Sequence, residues 1–89
     1  MEFEWDEDKD RINKTKHGLS FEVAVAVFND DNRIEYFDLK HSATEDRYIT
    51  IGLVDQVIVV VYTFRDPKYR IISARIATPR ERKWYNNGY

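Results

Sequence analysis

The sequence predicts one α+β domain: an antiparallel β-sheet meander packed by two N-terminal helices and one C-terminal helix, in the order β-α-α-β-β-β-β-α. Three observations predict it. The runs Val57 to Arg65 and Tyr69 to Ile76 are rich in β-branched and aromatic side chains and flank Asp66-Pro67-Lys68. That is a hairpin pattern, since Pro67 fixes φ, lacks an N–H, and belongs in the turn. The strand-like runs ahead of it are joined by segments too short for parallel crossovers. Helix start signals stand near both ends of the chain. At 89 residues the chain makes one domain, burying roughly 60–65% of its unfolded surface.

Phe3 and Trp5 alternate with Glu2 and Glu4, giving a short strand over 2–5. Asp6 caps a helix over 7–16, in which Glu7 with Arg11 and Asp10 with Lys14 are i,i+4 pairs, and Gly18 stops it. Its one clear apolar residue is Ile12, so it depends on docking. Ser20 caps a second helix over 21–28 with an apolar stripe at Phe21, Ala24, Val25 and Phe28. After the turn Asn29-Asp30-Asp31-Asn32, residues 33–37 alternate as a strand, 38–44 form a loop, and 45–53 form a third strand. Val54-Asp55-Gln56 leads into the central hairpin. Thr78, Pro79 and Glu81 form a capping box for a helix over 79–87 carrying Trp84 and Tyr85, with Asn86-Asn87-Gly88 as its stop.

Composition excludes several classes. There is no cysteine, hence no disulfide or thiolate zinc site, and His17 and His41 have no ligand spacing. No metal and no cofactor is expected. The longest apolar run, Val57 to Tyr62, is too short to cross a bilayer, and the acidic opening lacks a signal-peptide pattern, which points to the cytoplasm and away from membranes. Net charge is −2, against a general nucleic-acid binder. The charge is uneven, however: residues 1–10 are acidic, while 65–83 hold Arg65, Lys68, Arg70, Arg75, Arg80, Arg82 and Lys83. That half can hold an anion locally, or can simply be a solvated surface.

A three-residue turn at 66–68 would pair Arg65 with Tyr69, Val61 with Ser73 and Val59 with Arg75. Arg65, Tyr69, Ile71, Ser73 and Arg75 would then share one face, and the opposite, apolar face would meet the helices. Arginines on an open sheet face present planar forks to phosphate oxygens, or serve only solubility. Glu45 and Arg47 share a face as a general base beside a cation or as a plain salt bridge. His17 either caps the carbonyl end of its helix or moves protons near neutral pH. His41 lies in a loop and faces solvent. Trp84 and Tyr85 are core or interface aromatics. With no phosphate loop, nucleophile elbow or dinucleotide fingerprint, an enzyme here would work by acid–base and electrostatic means, which suits RNA, whose 2′-hydroxyl is its own nucleophile.

Several blocks of residues resemble one family. They are Phe3-x-Trp5-Asp6-x-x-Lys9, Asn13-x-x-Lys16-His17-Gly18-x-Ser20-Phe21-x-x-Ala24, Phe28-x-Asp30, His41-Ser42, Glu45-x-Arg47, Gly52, Arg65, Arg70-Ile71-Ile72-Ser73-Ala74-Arg75-x-Ala77 and Glu81-Arg82-x-x-Tyr85. In this order, nearly end to end, they resemble BrnT-type toxins of type II toxin–antitoxin pairs. The resemblance implies a RelE-like fold, an endoribonuclease that blocks translation, and a BrnA-type antitoxin partner, through which alone the toxin meets DNA. It implies His17, Glu45, Arg47, Arg65, Arg75 and Tyr85 as site residues. Glu45 or His17 would be the base, the arginines would hold the phosphate, and Tyr85 or protonated His17 would be the acid. The sequence pI of about 5.6 is low for such a toxin. The alternative is a non-catalytic module that only binds the antitoxin.

Overall fold

A computed structural model describes residues 1–87. The five-stranded sheet has the order β1-β5-β4-β3-β2, with β1 at Glu2–Glu4, β2 at Ile34–Phe37, β3 at Arg47–Val54, β4 at Gln56–Arg65 and β5 at Lys68–Ile76. The helices are α1 (Glu7–His17), α2 (Phe21–Val25) and α3 (Pro79–Asn87), with 3₁₀ turns at Ala26–Asn29 and Leu39–His41. Asn86 and Asn87 still belong to α3, and the Gly88 stop lies outside the described residues. No helix among the described residues is long and apolar enough to cross a membrane.

The sheet is mixed, which corrects the purely antiparallel, RelE-like expectation. Strands β2 to β5 form the antiparallel meander, but β1 joins the outer edge of β5 in parallel, Glu2 to Glu4 beside Lys68 to Arg70. Short loops enforce antiparallel pairing only between consecutive strands. Everything from α1 to β4 separates β1 from β5, so no short loop governs their direction.

The β4–β5 hairpin also differs from expectation. Its turn holds two residues, Asp66 and Pro67, so Arg65 pairs with Lys68 rather than Tyr69. A bulge follows: Tyr62 pairs with Ile71 but Val61 with Ser73, leaving Ile72 extra. The expected pairs Val61 with Ser73 and Val59 with Arg75 are therefore present. Below the bulge the faces are exchanged: Tyr69 and Ile71 turn to the helices, and Arg70 joins the face of Arg75.

Two cores result. On one face Ile58, Val60, Tyr62, Ile71 and Ala74 pack against Phe21, Ala24 and Val27. On the other Ile51, Val57, Val59 and Ala77 pack with Trp84 and Tyr85 of α3. The Ala26–Asn29 turn presses so closely on Gly52 that a Cβ there would fall 2.5 Å from Val27 Cγ2.

Helix α1 docks by hydrogen bonds. The Asp6 carboxylate caps it, accepting from Asp8 and Lys9 N–H groups at 2.8 and 3.1 Å, and Gly18 ends it at φ 71°. Ile12 is 60% exposed and anchors nothing, while Asp10 and Asn13 are buried. Asp10 accepts the Phe21 N–H at the start of α2 at 2.8 Å. Asn13 Nδ2 donates to Ala74 O at 2.8 Å and to Leu19 O at 2.9 Å, and its Oδ1 accepts the Ala74 N–H at 3.2 Å. Beyond the end of β1, then, one carboxamide stands in for a neighbouring strand. Asn13→Ala leaves both Ala74 groups without partners and should cost about 2–4 kcal/mol in urea denaturation, whereas Ile12→Ala should stay within about 0.5 kcal/mol.

Candidate functional site

Helix α3 covers only one end of its sheet face. Its start is the expected capping box: Thr78 Oγ1 accepts the Glu81 N–H at 3.2 Å and Glu81 Oε1 accepts the Thr78 N–H at 2.8 Å. Beyond α3 the same face continues in cross-strand rows. Val59 lies beside Arg75, then Ile49–Val61–Ser73, then Arg47–Thr63–Arg70–Glu4, then Arg65–Lys68 at the hairpin end. Rows lie two residues apart, roughly 7 Å. Arg47 and Arg65 therefore occupy adjacent rows, and Arg75 stands roughly 13 Å from the row of Arg47.

These cations are not equivalent. Arg75 grips Glu81 with both ends of its fork, Nη1 to Oε1 at 2.7 Å and Nη2 to Oε2 at 2.8 Å. The Arg75 hydrogen bonds hold the Glu81 carboxyl down at about 2, aided by the Thr78 N–H. Arg70 donates to Glu4 at 3.0 Å and Arg65 to Glu45 at 3.3 Å. Among the arginines of the face Arg47 is the exception. It is half-buried, its guanidinium meets no carboxylate among the described residues, and its Nε is fully buried with no hydrogen-bond partner. An unshared fork with a desolvated edge is the strongest anion-binding group on the face.

Of the residues expected at the site, Glu45, Arg47 and Arg65 come together. Arg75 shares their face but sits at the α3 end, engaged by Glu81. Tyr85 is on α3, and its hydroxyl donates to Asp30 Oδ2 at 2.5 Å. That bond, with burial, pushes the phenol up to about 12. Burial alone would raise Asp30, yet the Tyr85 hydroxyl and the Leu53 and Asn32 N–H groups hold it below the usual carboxylate range. His17 ends α1, a helix that contributes nothing to the core on the arginine face. His41 is exposed, with Nδ1 3.1 Å from Asp38.

Sequence reasoning missed Tyr36 and Arg70. Tyr36 pairs with Ile49, which puts it on the arginine face, and its ring meets Trp84 edge-on. Burial and the nearby Glu81 charge raise its phenol. Alternation in 33–37 already separates Ile34 and Tyr36 from their neighbours, so the strand pairing was the missing step. Arg70 needed the true turn length.

A family model described as the ribonuclease toxin, BrnT, of type II toxin–antitoxin systems matches residues 5–81. No curated protein matches the chain.

The Arg75–Glu81 pair makes stability depend on pH. A carboxyl whose folded value is depressed stabilises the fold above its unfolded value and loses that contribution as pH falls through the folded one. For Glu81, ordinarily 4.5 and here about 2, the window lies between those values and is worth about 3 kcal/mol. In urea titrations the stability gap between wild type and Glu81→Gln should close as pH falls through that window.

Proposed function

This chain belongs to the BrnT family, the ribonuclease toxins of type II toxin–antitoxin systems, and from that premise we propose a metal-independent endoribonuclease neutralised by a BrnA-type antitoxin. The observation that carries the mechanism is Arg47, the unpaired arginine in the middle of the open face. It takes two non-bridging oxygens of the scissile phosphate as a bidentate fork. Arg65, one row away, adds charge to the same phosphate. Glu45, which Arg65 orients from 3.3 Å, takes the proton from the RNA 2′-hydroxyl.

The 2′-oxygen then bonds to phosphorus, and the bond from phosphorus to the 5′-oxygen breaks. The leaving oxygen takes its proton from water on the open face, and the hydroxide left behind takes up the proton that Glu45 accepted. The products are a 2′,3′-cyclic phosphate and a 5′-hydroxyl. Arg47 and Arg65 matter most where negative charge concentrates on the phosphorane. In this reading Arg75 is a positioning residue fixing α3 through Glu81, and Tyr85 braces α3 through Asp30. The toxin works in the cytoplasm, where RNA and antitoxin are, and meets DNA only through the antitoxin.

A second reading is favoured by one observation: Arg65, Arg70 and Arg75 each already hold a carboxylate of this chain. Such a half-neutralised face suits a module that only docks the antitoxin.

Incubation with RNA in EDTA separates the two. Wild type should release fragments with cyclic phosphate ends, and Arg47→Ala should be slower by roughly 10²–10³ while unfolding at a temperature no lower than wild type. Intact RNA with wild type, alongside antitoxin binding that Arg47→Ala abolishes, would establish the docking module instead.

A further inference from the structure

A cleft at the hairpin end of the sheet has its aromatic walls on the side away from the arginines. Glu45, Asp46, Tyr48, Thr63 and Phe64 line it, and it holds about 240 Å³. Tyr48 pairs with Tyr62 and Phe64 with Tyr69, and Tyr48, Tyr62 and Tyr69 all pack with the core built on α2. Arg47 and Arg65, the chain neighbours of Tyr48 and Phe64, alternate to the opposite face. The rings at this end stay open to solvent: Phe64 is 48% exposed and Phe37 42%. We propose that the cleft seats an arginine side chain of a partner protein, which in this family is the antitoxin. The proposal rests on the antitoxin half of the reading above and not on the nuclease half.

The rings set the kind of group that enters. Tyr48 is fixed, stacking on Tyr62 at 5.6 Å and meeting the Phe37 edge at 5.7 Å. Phe64 meets Tyr69 edge-on at 5.1 Å and turns the rest of its ring to solvent. Aromatic faces are electron-rich and attract cations, guanidinium more often than ammonium.

Asp46 sets the sign and the shape. It is exposed, and its carboxylate has no partner among the described residues. Only its backbone carbonyl is used, accepting the Thr63 hydroxyl at 2.6 Å. Two free carboxylate oxygens match the two parallel N–H groups of a guanidinium fork. Glu45, the other acid of the cleft, is already tied to Arg65 at 3.3 Å. Both acids repel phosphate, and a purely apolar occupant would bury the Asp46 charge unpaired. Clefts that enclose drug-sized ligands run to roughly 300–1,000 Å³, so this one is scaled to the end of one side chain. The ring row from Phe37 through Tyr48 to Phe64 then offers apolar contact to the arginine stem and its chain neighbours, which a free small cation would leave unused.

The test titrates acetyl-Leu-Arg-Leu-amide into the whole protein and follows the Asp46, Tyr48 and Phe64 signals by NMR. The citrulline peptide keeps the shape, loses the charge, and is the comparison. The arginine peptide should bind about ten-fold tighter, the scale of a charge-assisted pair, and Asp46→Asn should erase that preference. Phe64→Ala should weaken it about five-fold, the scale of an exposed cation–π contact. The same two variants should bind a BrnA-type antitoxin more weakly than wild type and cleave RNA at the wild-type rate. Asp46→Asn removes no bond of the fold, so its lost binding reports on the cleft. Equal binding of the two peptides would overturn the cleft and leave antitoxin and nuclease standing. Arginine-selective peptide binding, with antitoxin affinity unmoved by Asp46→Asn, would overturn the occupant. Wild type that self-associates through Asp46 would give the cleft to a second copy and overturn the occupant as well. An antitoxin with no affinity for wild type would remove the partner from the reading above, and this occupant with it.

Discussion

Between Tyr69 and Arg75 the strand β5 carries one residue more than the stretch of β4 it faces, and the position of that bulge sets the face of every residue above it. With a two-residue turn and no bulge, Arg65 beside Lys68 would lead to Val59 beside Ala74. Arg75 would then point into the helical layer. The extra Ile72 moves Ala74 to the core face and Arg75 to the face of Arg47, Arg65 and Arg70. A bulge interrupts the ladder, so something must hold it in register. Asn13 does so, binding both backbone groups of Ala74 from the unpaired outer edge. A polar residue on a helix with hardly any apolar surface thus decides where the arginines of the sheet lie.

The charge pattern follows the same economy. Arginines set close together on a pleated face repel one another, and this face relieves the repulsion with carboxylates drawn from distant parts of the chain: Glu4 from β1, Glu45 from the loop before β3, Glu81 from α3. This is how a chain of net charge −2 keeps several arginines on one sheet face. Pairing also grades the cations. A guanidinium locked in a two-pronged pair keeps its geometry and gives up most of its field, whereas Arg47 keeps both. The ungraded count of arginines says little about binding, and their partners say much more.

That distinction marks what the sequence could and could not show. Helix starts at Asp6, Ser20 and Thr78 were legible because a cap is a local event within four residues. Strand positions were legible from β-branched and aromatic runs. The faces of β5 were only half legible, because turn length and bulge each shift register by one residue, and the two shifts cancel above the bulge but not below it. The docking of α1 was illegible for a different reason. Hydrophobic periodicity pointed to Ile12, but the helix is held by Asp10 and Asn13, whose partners lie at Phe21 and at Ala74, sixty-one residues along the chain in the last case. The parallel placement of β1 is likewise non-local. Within the site, Glu45 and Arg47 were expected to share a face of one strand, but β3 begins at Arg47 and Glu45 lies in the loop before it; that Arg47 alone of the face's arginines lacks a partner is a property of the folded surface.

The Arg75–Glu81 pair joins these threads, because it belongs to the capping box as much as to the site. Glu81 accepts from Thr78 N–H and from Arg75 at once, so the start of α3 and the end of the arginine row share one carboxylate. Removing Arg75 therefore perturbs helix capping as well as surface charge, and lost activity in such a variant would not separate catalysis from folding. Arg47 has no such second duty. Its guanidinium supports no cap, strand or helix, and its buried Nε without a partner costs stability. A fold that keeps a destabilising group at the centre of its open face, while pairing every other arginine of that face, leaves one guanidinium there free to bind an anion.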